Sequence, residues 1–194
     1  MRGVLRRPSL DLLPSYADAL RRGWSPDNVR AAVAREQLAF IDADPAGFVA
    51  SLEDPDAKGK PVLLPDGSTV PRLPGLKRWI WSEDGCAGSI GLRWQPGTAD
   101  LPPNCLGHIG YGVVPWQRGK GLATAALREI LPLARSVGLP HVDLNSDHHN
   151  MASRRVMEKA GAVFVGTSDT PPAYGDGKDA LYRIDLTEMP EGQS

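Results

Sequence analysis

The sequence has few cysteines, no excess charge of either sign and no long apolar run, and each absence excludes a class of protein. Its two cysteines, Cys86 and Cys105, form no CxxC pair and lie in no Cys/His spacing typical of a metal site. We therefore expect two reduced structural thiols. A disulfide-stapled or zinc-dependent domain is excluded.

The charge balance and hydropathy predict a soluble protein. The 22 basic and 23 acidic residues leave a net charge of −1, without the basic excess typical of nucleic-acid binding. No apolar stretch approaches the length of a membrane span. Asp11, Pro14 and Asp18 interrupt the apolar run that a signal peptide needs. We expect a cytoplasmic protein that contacts neither nucleic acid nor membrane.

The hydrophobic period changes along the 194 residues, a length typical of one domain. Residues 1–60 have helical spacing, with Ser25 as an N-cap candidate and Pro26 at the first helical position. Later segments alternate as strands do or return to the helical period. Strands are predicted at 78–81, 88–94, 106–114, 141–145, 162–165 and 180–186, and helices after Gly121 and after Asn150. This order predicts an α/β fold, a mixed sheet flanked by helices.

A glycine-rich turn joins the strand at 106–114 to the next helix. Unpaired N–H groups of a first helical turn, with the positive end of the helix dipole, bind phosphate. Gly119 and Gly121 would let the backbone approach a ligand closely, and Arg118 and Lys120 add positive charge. The turn therefore predicts a phosphate or pyrophosphate site.

Two common phosphate-binding patterns fail on spacing. The nucleotide P-loop G-x-x-x-x-G-K-[ST] fails because six residues separate Gly112 from Gly119 and because Lys120 is followed by Gly121. The dinucleotide fingerprint G-x-G-x-x-G fails because Thr124 stands where the third glycine belongs. Too little chain follows, moreover, for the second half of a doubly wound fold.

A third pattern, Arg or Gln, two residues, Gly, one residue, then Gly or Ala, matches the turn. The segment 118–123 resembles, at every fixed position, the pyrophosphate loop of the GCN5-related N-acetyltransferase (GNAT) superfamily. Residues 150–162 are similar to the family's next segment, and Gly88-x-Ile90-x-Leu92 to its third strand. The run 107–111, Gly-His-Ile-Gly-Tyr, resembles a poorly characterised bacterial branch. The resemblance covers 76–186.

The resemblance implies a mostly antiparallel central sheet with a splayed strand pair and flanking helices. It implies one N-acetyltransferase domain over 1–194, with a helical part at 1–60 and an acyl-CoA-binding core at 76–186. The implied reaction is direct transfer of acetyl from acetyl-CoA to a primary amine of a small molecule or peptide, without a metal. Homodimers are common in the family. The alternative is a non-catalytic acyl-CoA-binding sensor or interaction domain.

The resemblance also implies which residues bind the acyl donor. Val113 and Val114 would pair with the pantetheine arm through their backbone, beside a bulge at Gly110 and Gly112. Asn150 would bind the same arm, although it is also a candidate helix N-cap. The remaining implied donor-binding residues are Arg118, Gly119, Lys120, Gly121, Leu122, Ala123, Thr124 and Ser153.

The chemistry implied by the resemblance needs a base and an acid. His108 stands where many relatives carry Glu, so we expect it to be the general base, with a structural histidine as the alternative. Many relatives carry the general acid Tyr four residues before the helix-ending glycine, but here that position is Met157. Ser153, Tyr111 or solvent would then protonate the thiolate.

The acceptor site is less specified. In the family the N-terminal region helps to build the acceptor pocket, so Tyr16 and Trp24 could line it. Glu83, Asp84 and Asp176 are candidates to attract a cationic amine, although each also fits a plain turn. The acidic and histidine residues at 143–149 are expected to form a solvated turn and not a metal site.

Overall fold

The computed structural model describes residues 3–30 and 32–187, so the ends of the predicted domain and Ala31 lie outside the described residues. This part of the chain forms five α-helices and ten strands. The helices are α1 (Leu13–Arg21), α2 (Val33–Ala43), α3 (Pro45–Ser51), α4 (Leu122–Ser136) and α5 (Met151–Lys159). The strands are β1 (Leu5–Arg6), β2 (Glu53–Asp54), β3 (Val62–Leu63), β4 (Thr69–Val70), β5 (Gly75–Ser82), β6 (Gly85–Arg93), β7 (Ile109–Val113), β8 (His141–Asp147), β9 (Val163–Asp169) and β10 (Lys178–Asp185).

The strands form two main antiparallel sheets and one small hairpin. The first sheet has the order β1-β5-β6-β7, with β2 also pairing with β5. The second has the order β8-β10-β9, and β3 pairs with β4. The predicted α/β fold with mostly antiparallel strands is therefore confirmed.

The first sheet has two distinct faces, because residues paired across an antiparallel ladder point to the same side. One face carries Ile90 and Leu92 and packs on α4 in the larger core. The other face, here called the cleft face, carries Trp79, which packs on α1 and α3 in a second core. Beside Trp79 the cleft face continues over residues with small or charged side chains: Lys77, Ser89, Gly91, Arg93, Gly110 and Gly112.

The strands β7 and β8 belong to different sheets and separate after a single contact. Next to β7, the His108 N–H donates to the Asp143 carbonyl oxygen at 2.8 Å. The Asp143 N–H donates in turn to His108 Nδ1 at 2.9 Å. No other backbone hydrogen bond joins β7 to β8 within 3–30 and 32–187. The predicted splayed strand pair is confirmed, and His108 lies at its vertex.

The predicted bulge at Gly110 and Gly112 is wrong. The strand β7 pairs with β6 without a register shift, from Gly88 opposite Val113 to Leu92 opposite Ile109. Register shifts occur instead between β5 and β6 and between β9 and β10. The outer edge of β7 is therefore open although the strand itself is regular, because no strand pairs with it on that side among the described residues.

The predicted helix start at Ser25-Pro26 is also wrong. The Asp27 side chain accepts the N–H groups of Val29 and Arg30, both at 2.8 Å, and so closes a local turn. The helix α2 begins only at Val33. The segment between α1 and α2 is therefore a loop that reaches β7, where Asn28 Nδ2 donates to the Tyr111 carbonyl oxygen at 3.4 Å. No helix in the described residues is long and apolar enough to cross a membrane.

Candidate active site

The loop between β7 and α4 presents an open backbone surface. Gly119 and Gly121 have φ values of 79° and 76°, a region that favours glycine. A Cβ built on either glycine would meet no atom within 4 Å. Both glycines therefore border free space in which a ligand could contact the backbone.

Helix α4 begins in this loop without a side-chain cap. Gly121 is the N-cap residue, and the Ala125 N–H makes the first bond, to the Gly121 carbonyl oxygen at 3.0 Å. The N–H groups of Leu122, Ala123 and Thr124 consequently have no partner within the helix. Three free donors and the positive helix end make this loop a suitable cradle for a pyrophosphate.

The two cations of the loop are held by neighbouring groups. Arg118 Nε donates to the Val113 carbonyl oxygen at 3.2 Å, which folds the exposed side chain back along β7. Lys120 Nζ donates to Gln117 Oε1 at 2.7 Å and lies 3.8 Å from an Asp84 carboxylate oxygen. Asp84, a candidate for attracting an amine, thus partly neutralises Lys120 and also accepts from Gln117 Nε2 at 2.8 Å. The backbone N–H groups of this cradle therefore have fewer competing partners than the side chains of Arg118 and Lys120.

The open edge of β7 supplies further donors. The Val114 N–H donates to the Ala87 carbonyl oxygen on β6 at 2.9 Å, and its carbonyl accepts from Gln117. Because antiparallel ladder bonds alternate along a strand, Tyr111 and Val113 point their N–H groups away from β6 into the splay. The Val114 N–H group is therefore used within the protein, so any pairing of Val114 with the pantetheine arm would rest on its carbonyl oxygen. Val113 keeps an available N–H group, and Tyr111 adds one that the sequence did not indicate.

Tyr111 and Ser153, two alternatives for the general acid, form one hydrogen-bonded pair across the splay. Tyr111 Oη lies 2.9 Å from Ser153 Oγ and 3.2 Å from the Ser153 carbonyl oxygen. Burial raises the pKa of Tyr111 to about 12, despite the opposing effect of the hydrogen bond to Ser153. The phenol therefore stays protonated at neutral pH. Together the two hydroxyls can pass a proton along a short chain.

The neighbours of Ser153 on α5 explain why Ser153, and not Met157, contacts Tyr111. Met157, at the position where relatives carry Tyr, is 1% exposed and packs in the larger core. Asn150 Oδ1 accepts the Ser153 N–H at 3.1 Å, so Asn150 caps α5 and holds Ser153 in place. Its exposed side chain retains the amide NH₂ donors, which could still contact a ligand.

His108 is completely buried at the vertex of the splay. Its Nδ1 accepts the Asp143 N–H, so in the neutral imidazole the proton belongs on Nε2. Nε2 has no hydrogen-bond partner among the described residues. Burial is also the main cause that lowers the pKa of His108. Neither nitrogen is free to take a proton from a substrate, so the geometry favours the structural alternative over the predicted base.

Replacing His108 should separate these two roles. His108→Asn keeps an acceptor close to the position of Nδ1 but cannot titrate, whereas His108→Ala loses both properties. If His108 holds β7 to β8, Asn should retain much of the activity, while Ala should lose stability by about 2–3 kcal/mol. The measurement is chemical denaturation together with the pH profile of turnover. If both variants lose turnover equally, and the fall of turnover toward low pH disappears in both, His108 acts as the base.

The sign of the pH effect on stability follows from the lowered pKa. In the unfolded chain the imidazole has its ordinary pKa of about 6.5. Below that pH the unfolded chain therefore binds a proton that His108 in the folded protein does not bind. The free energy of unfolding should therefore fall as the pH drops below about 6.5. His108→Asn should weaken this fall, and an unchanged acid dependence would show that His108 is not its source.

The residues at 143–149 are engaged in other contacts. Asp143 forms a two-point ion pair with Arg183, at 2.7 and 2.9 Å. Asp147 accepts the His149 N–H at 2.7 Å, within the turn that precedes α5. Among the described residues, no group of three His, Cys, Asp or Glu side chains could hold a metal ion.

Comparison with known families decides how this geometry is classified. The family model for the acetyltransferase (GNAT) domain matches residues 68–163, a range that contains the loop, the splay and the Tyr111–Ser153 pair. The chain belongs to the GNAT superfamily. Among the curated proteins, none matches the sequence significantly.

Solved structures with the same fold as this GNAT chain are also acetyltransferases. The microcin C7 self-immunity acetyltransferase MccE, in complex with acetyl-CoA and AMP, is 12% identical, with a TM-score of 0.61 over 93% of this chain and 91% of that one. RimL, a ribosomal L7/L12 α-N-protein acetyltransferase in complex with coenzyme A, is 12% identical, with a TM-score of 0.59 over 93% and 92%. A GNAT-family acetyltransferase from Bacillus anthracis is 17% identical, with a TM-score of 0.59 over 97% of each chain. At these identities the likeness shows the fold alone.

Only one of the two aromatic residues that were expected to line an acceptor pocket borders the cleft face. Tyr16 is 1% exposed, stacks on Trp79 with ring centroids 4.7 Å apart and donates to Gln37, so it belongs to the core. Trp24 is also buried, but its indole borders the cleft face beside Gly112. Two cations on this face, Lys77 and Arg93, were not predicted as site residues. In the sequence they alternate with small residues at a two-residue period. That pattern indicates a shared site only when the register of β5, β6 and β7 is known.

Proposed function

We propose that the protein is an acetyl-CoA-dependent N-acetyltransferase that transfers acetyl directly to a primary amine. The observation that carries this proposal is the Tyr111–Ser153 pair, which joins β7 to α5, together with the open backbone at Gly119 and Gly121 in the loop that follows β7. Free N–H groups line both the cradle and the outer edge of β7. This donor set fits a pyrophosphate and an amide-rich arm, and acetyl-CoA would supply an activated thioester there.

The protein's own groups would act at four points of the bound donor. The N–H groups of Leu122, Ala123 and Thr124 would hold the pyrophosphate, and the Val113 N–H would pair with the pantetheine arm. The Tyr111 N–H would donate to the thioester oxygen, on which negative charge develops as the amine attacks. Ser153 Oγ–H would protonate the departing sulfur, Tyr111 Oη–H would pass its proton to Ser153 Oγ, and the proton that the attacking amine loses would return to Tyr111 through water. His108 is proposed as a positioning residue that sets the opening of the splay.

The first test is thiol release from acetyl-CoA in the presence of polyamines, aminoglycosides, amino acids and peptides. We expect release to depend on at least one of these amines and to form the acetylated amine in equal amount. Tight coenzyme A binding without release on any member of the panel would favour the alternative, a non-catalytic acyl-CoA sensor. The Tyr111–Ser153 pair supports catalysis over that alternative.

A further inference from the structure

The cleft face of the first sheet has a floor of small residues next to the splay. Gly91 on β6 is directly opposite Gly110 on β7, and Ser89 is opposite Gly112. These residues lack bulky side chains over a patch that adjoins the backbone of Tyr111. The loop between α1 and α2 borders one side of this patch, because Trp24 and Asn28 lie within 4 Å of a Cβ built on Gly112.

Two cationic side chains lie over this floor. A Cβ built on Gly110 would lie 3.1 Å from Arg93 Nη2, so the guanidinium covers that glycine. A Cβ built on Gly91 would lie 3.6 Å from Lys77 Cγ. Lys77 and Arg93 point to the same side of the sheet, because Lys77 is opposite Gly91 and Arg93 is opposite Gly75.

The two cations have little compensating charge. Both side chains are half-buried, and neither makes a hydrogen bond or an ion pair with a residue of 3–30 or 32–187. Burial and the repulsion by Arg93 lower the pKa of Lys77. Asp27 attracts Lys77, but one of its carboxylate oxygens already accepts two backbone N–H groups. Two half-buried cations without an acid in contact favour an anion between them.

The other charged groups near this patch do not supply a negative charge between Lys77 and Arg93. Arg72 also repels Lys77, but it lies 3.8 Å from an Asp54 carboxylate oxygen. Tyr174 lies in the loop between β9 and β10, and the charges of both Arg93 and Asp27 affect its pKa. Its hydroxyl donates to the Asn104 carbonyl oxygen at 2.9 Å. The cleft is thus bounded by two loops and retains a net positive charge.

We propose that Arg93 and Lys77 bind an oxyanion of the acceptor, so that the substrate is an amine that also carries a carboxylate or a phosphate. This inference rests on the proposed function. The bound donor would lie along the outer edge of β7 and the loop after it, whereas Arg93 lies over the cleft face near the start of β7.

The test is a series of matched acceptors that differ only in charge. Thiol release from acetyl-CoA is measured with ω-amino acids from glycine to 6-aminohexanoate and with their primary amides. A second arm compares 2-aminoethyl phosphate with ethanolamine and distinguishes phosphate from carboxylate recognition. We expect the best anionic acceptor to exceed its neutral partner in kcat/KM by about tenfold or more.

Variants assign that preference to residues. Arg93→Gln and Lys77→Met should each lower the ratio of acid to amide, and Arg93→Lys should restore part of it. Arg21→Gln, on the exposed side of α1, is the matched control and should leave the ratio unchanged. Neutral amides or diamines that equal or exceed the acids in the unsubstituted protein would overturn the inference and leave the acetyltransferase intact. Absence of release with every amine, despite coenzyme A binding, would instead overturn the proposed function and this inference with it.

Discussion

Gly121→Asp should weaken coenzyme A binding by about 100-fold, the expected result of placing a carboxylate beside a pyrophosphate. Gly121 is the N-cap of α4, has a φ of 76° and borders open space. Asp and Asn are the residues other than glycine that best tolerate such a backbone conformation. The substitution should therefore add negative charge to the cradle with limited strain on the fold.

Gly121→Asn is the matched control, because it has nearly the same shape and no charge. Its affinity for coenzyme A should fall far less than that of Gly121→Asp, and both variants should have similar free energies of unfolding. The measurement is titration calorimetry at two salt concentrations, since screening should reduce the difference between the variants. Equal affinities of the Asp and Asn variants would contradict a pyrophosphate at this loop.

Ser153→Ala should lower kcat by about tenfold to 100-fold, with little change in coenzyme A affinity. The effect lies at or below the lower end of general-acid contributions, because a thiolate is a good leaving group. Tyr111→Phe should have a similar effect, and the double variant should be no slower than Ser153→Ala, because the two hydroxyls act as one chain. Ser136→Ala, near the far end of α4, is the control and should retain full turnover.

The pH profile gives a second measurement of the same pair. Since burial raises the pKa of Tyr111 to about 12, the phenol keeps its proton throughout the usual assay range. Turnover should therefore show no alkaline fall between about pH 8 and 10 that Tyr111→Phe removes. Multiplicative effects of the two substitutions, or such an alkaline fall, would contradict the proton chain.

The parts of the site predicted from sequence are those encoded by neighbouring residues. The segment 118–123 contains its own glycines, its own cations and the start of its own helix, so local spacing was enough to indicate a phosphate cradle. Asn150 as the cap of α5 is likewise a local feature, and its hydrogen bond to the Ser153 N–H confirms it.

The parts of the site that the sequence did not determine depend on partners far away in the chain. His108 has the chemistry of a base, but its Nδ1 is occupied by the N–H of Asp143, 35 residues later. Tyr111 and Ser153 were separate alternatives until the fold joined their hydroxyls across 42 residues. The Val114 N–H group is bonded to β6, and one strand's sequence does not show which of its N–H groups face a neighbouring strand.

We propose that acetyl passes directly from acetyl-CoA to an amine at the splay between β7 and β8. A single-turnover reaction with isotopically labelled acetyl-CoA and an accepted amine, followed by mass spectrometry, tests it most directly. We predict label on the amine in equal amount to released coenzyme A, no label on the protein, and a slower transfer in Ser153→Ala. Label retained on the protein, or release of coenzyme A without a labelled amine, would contradict the account.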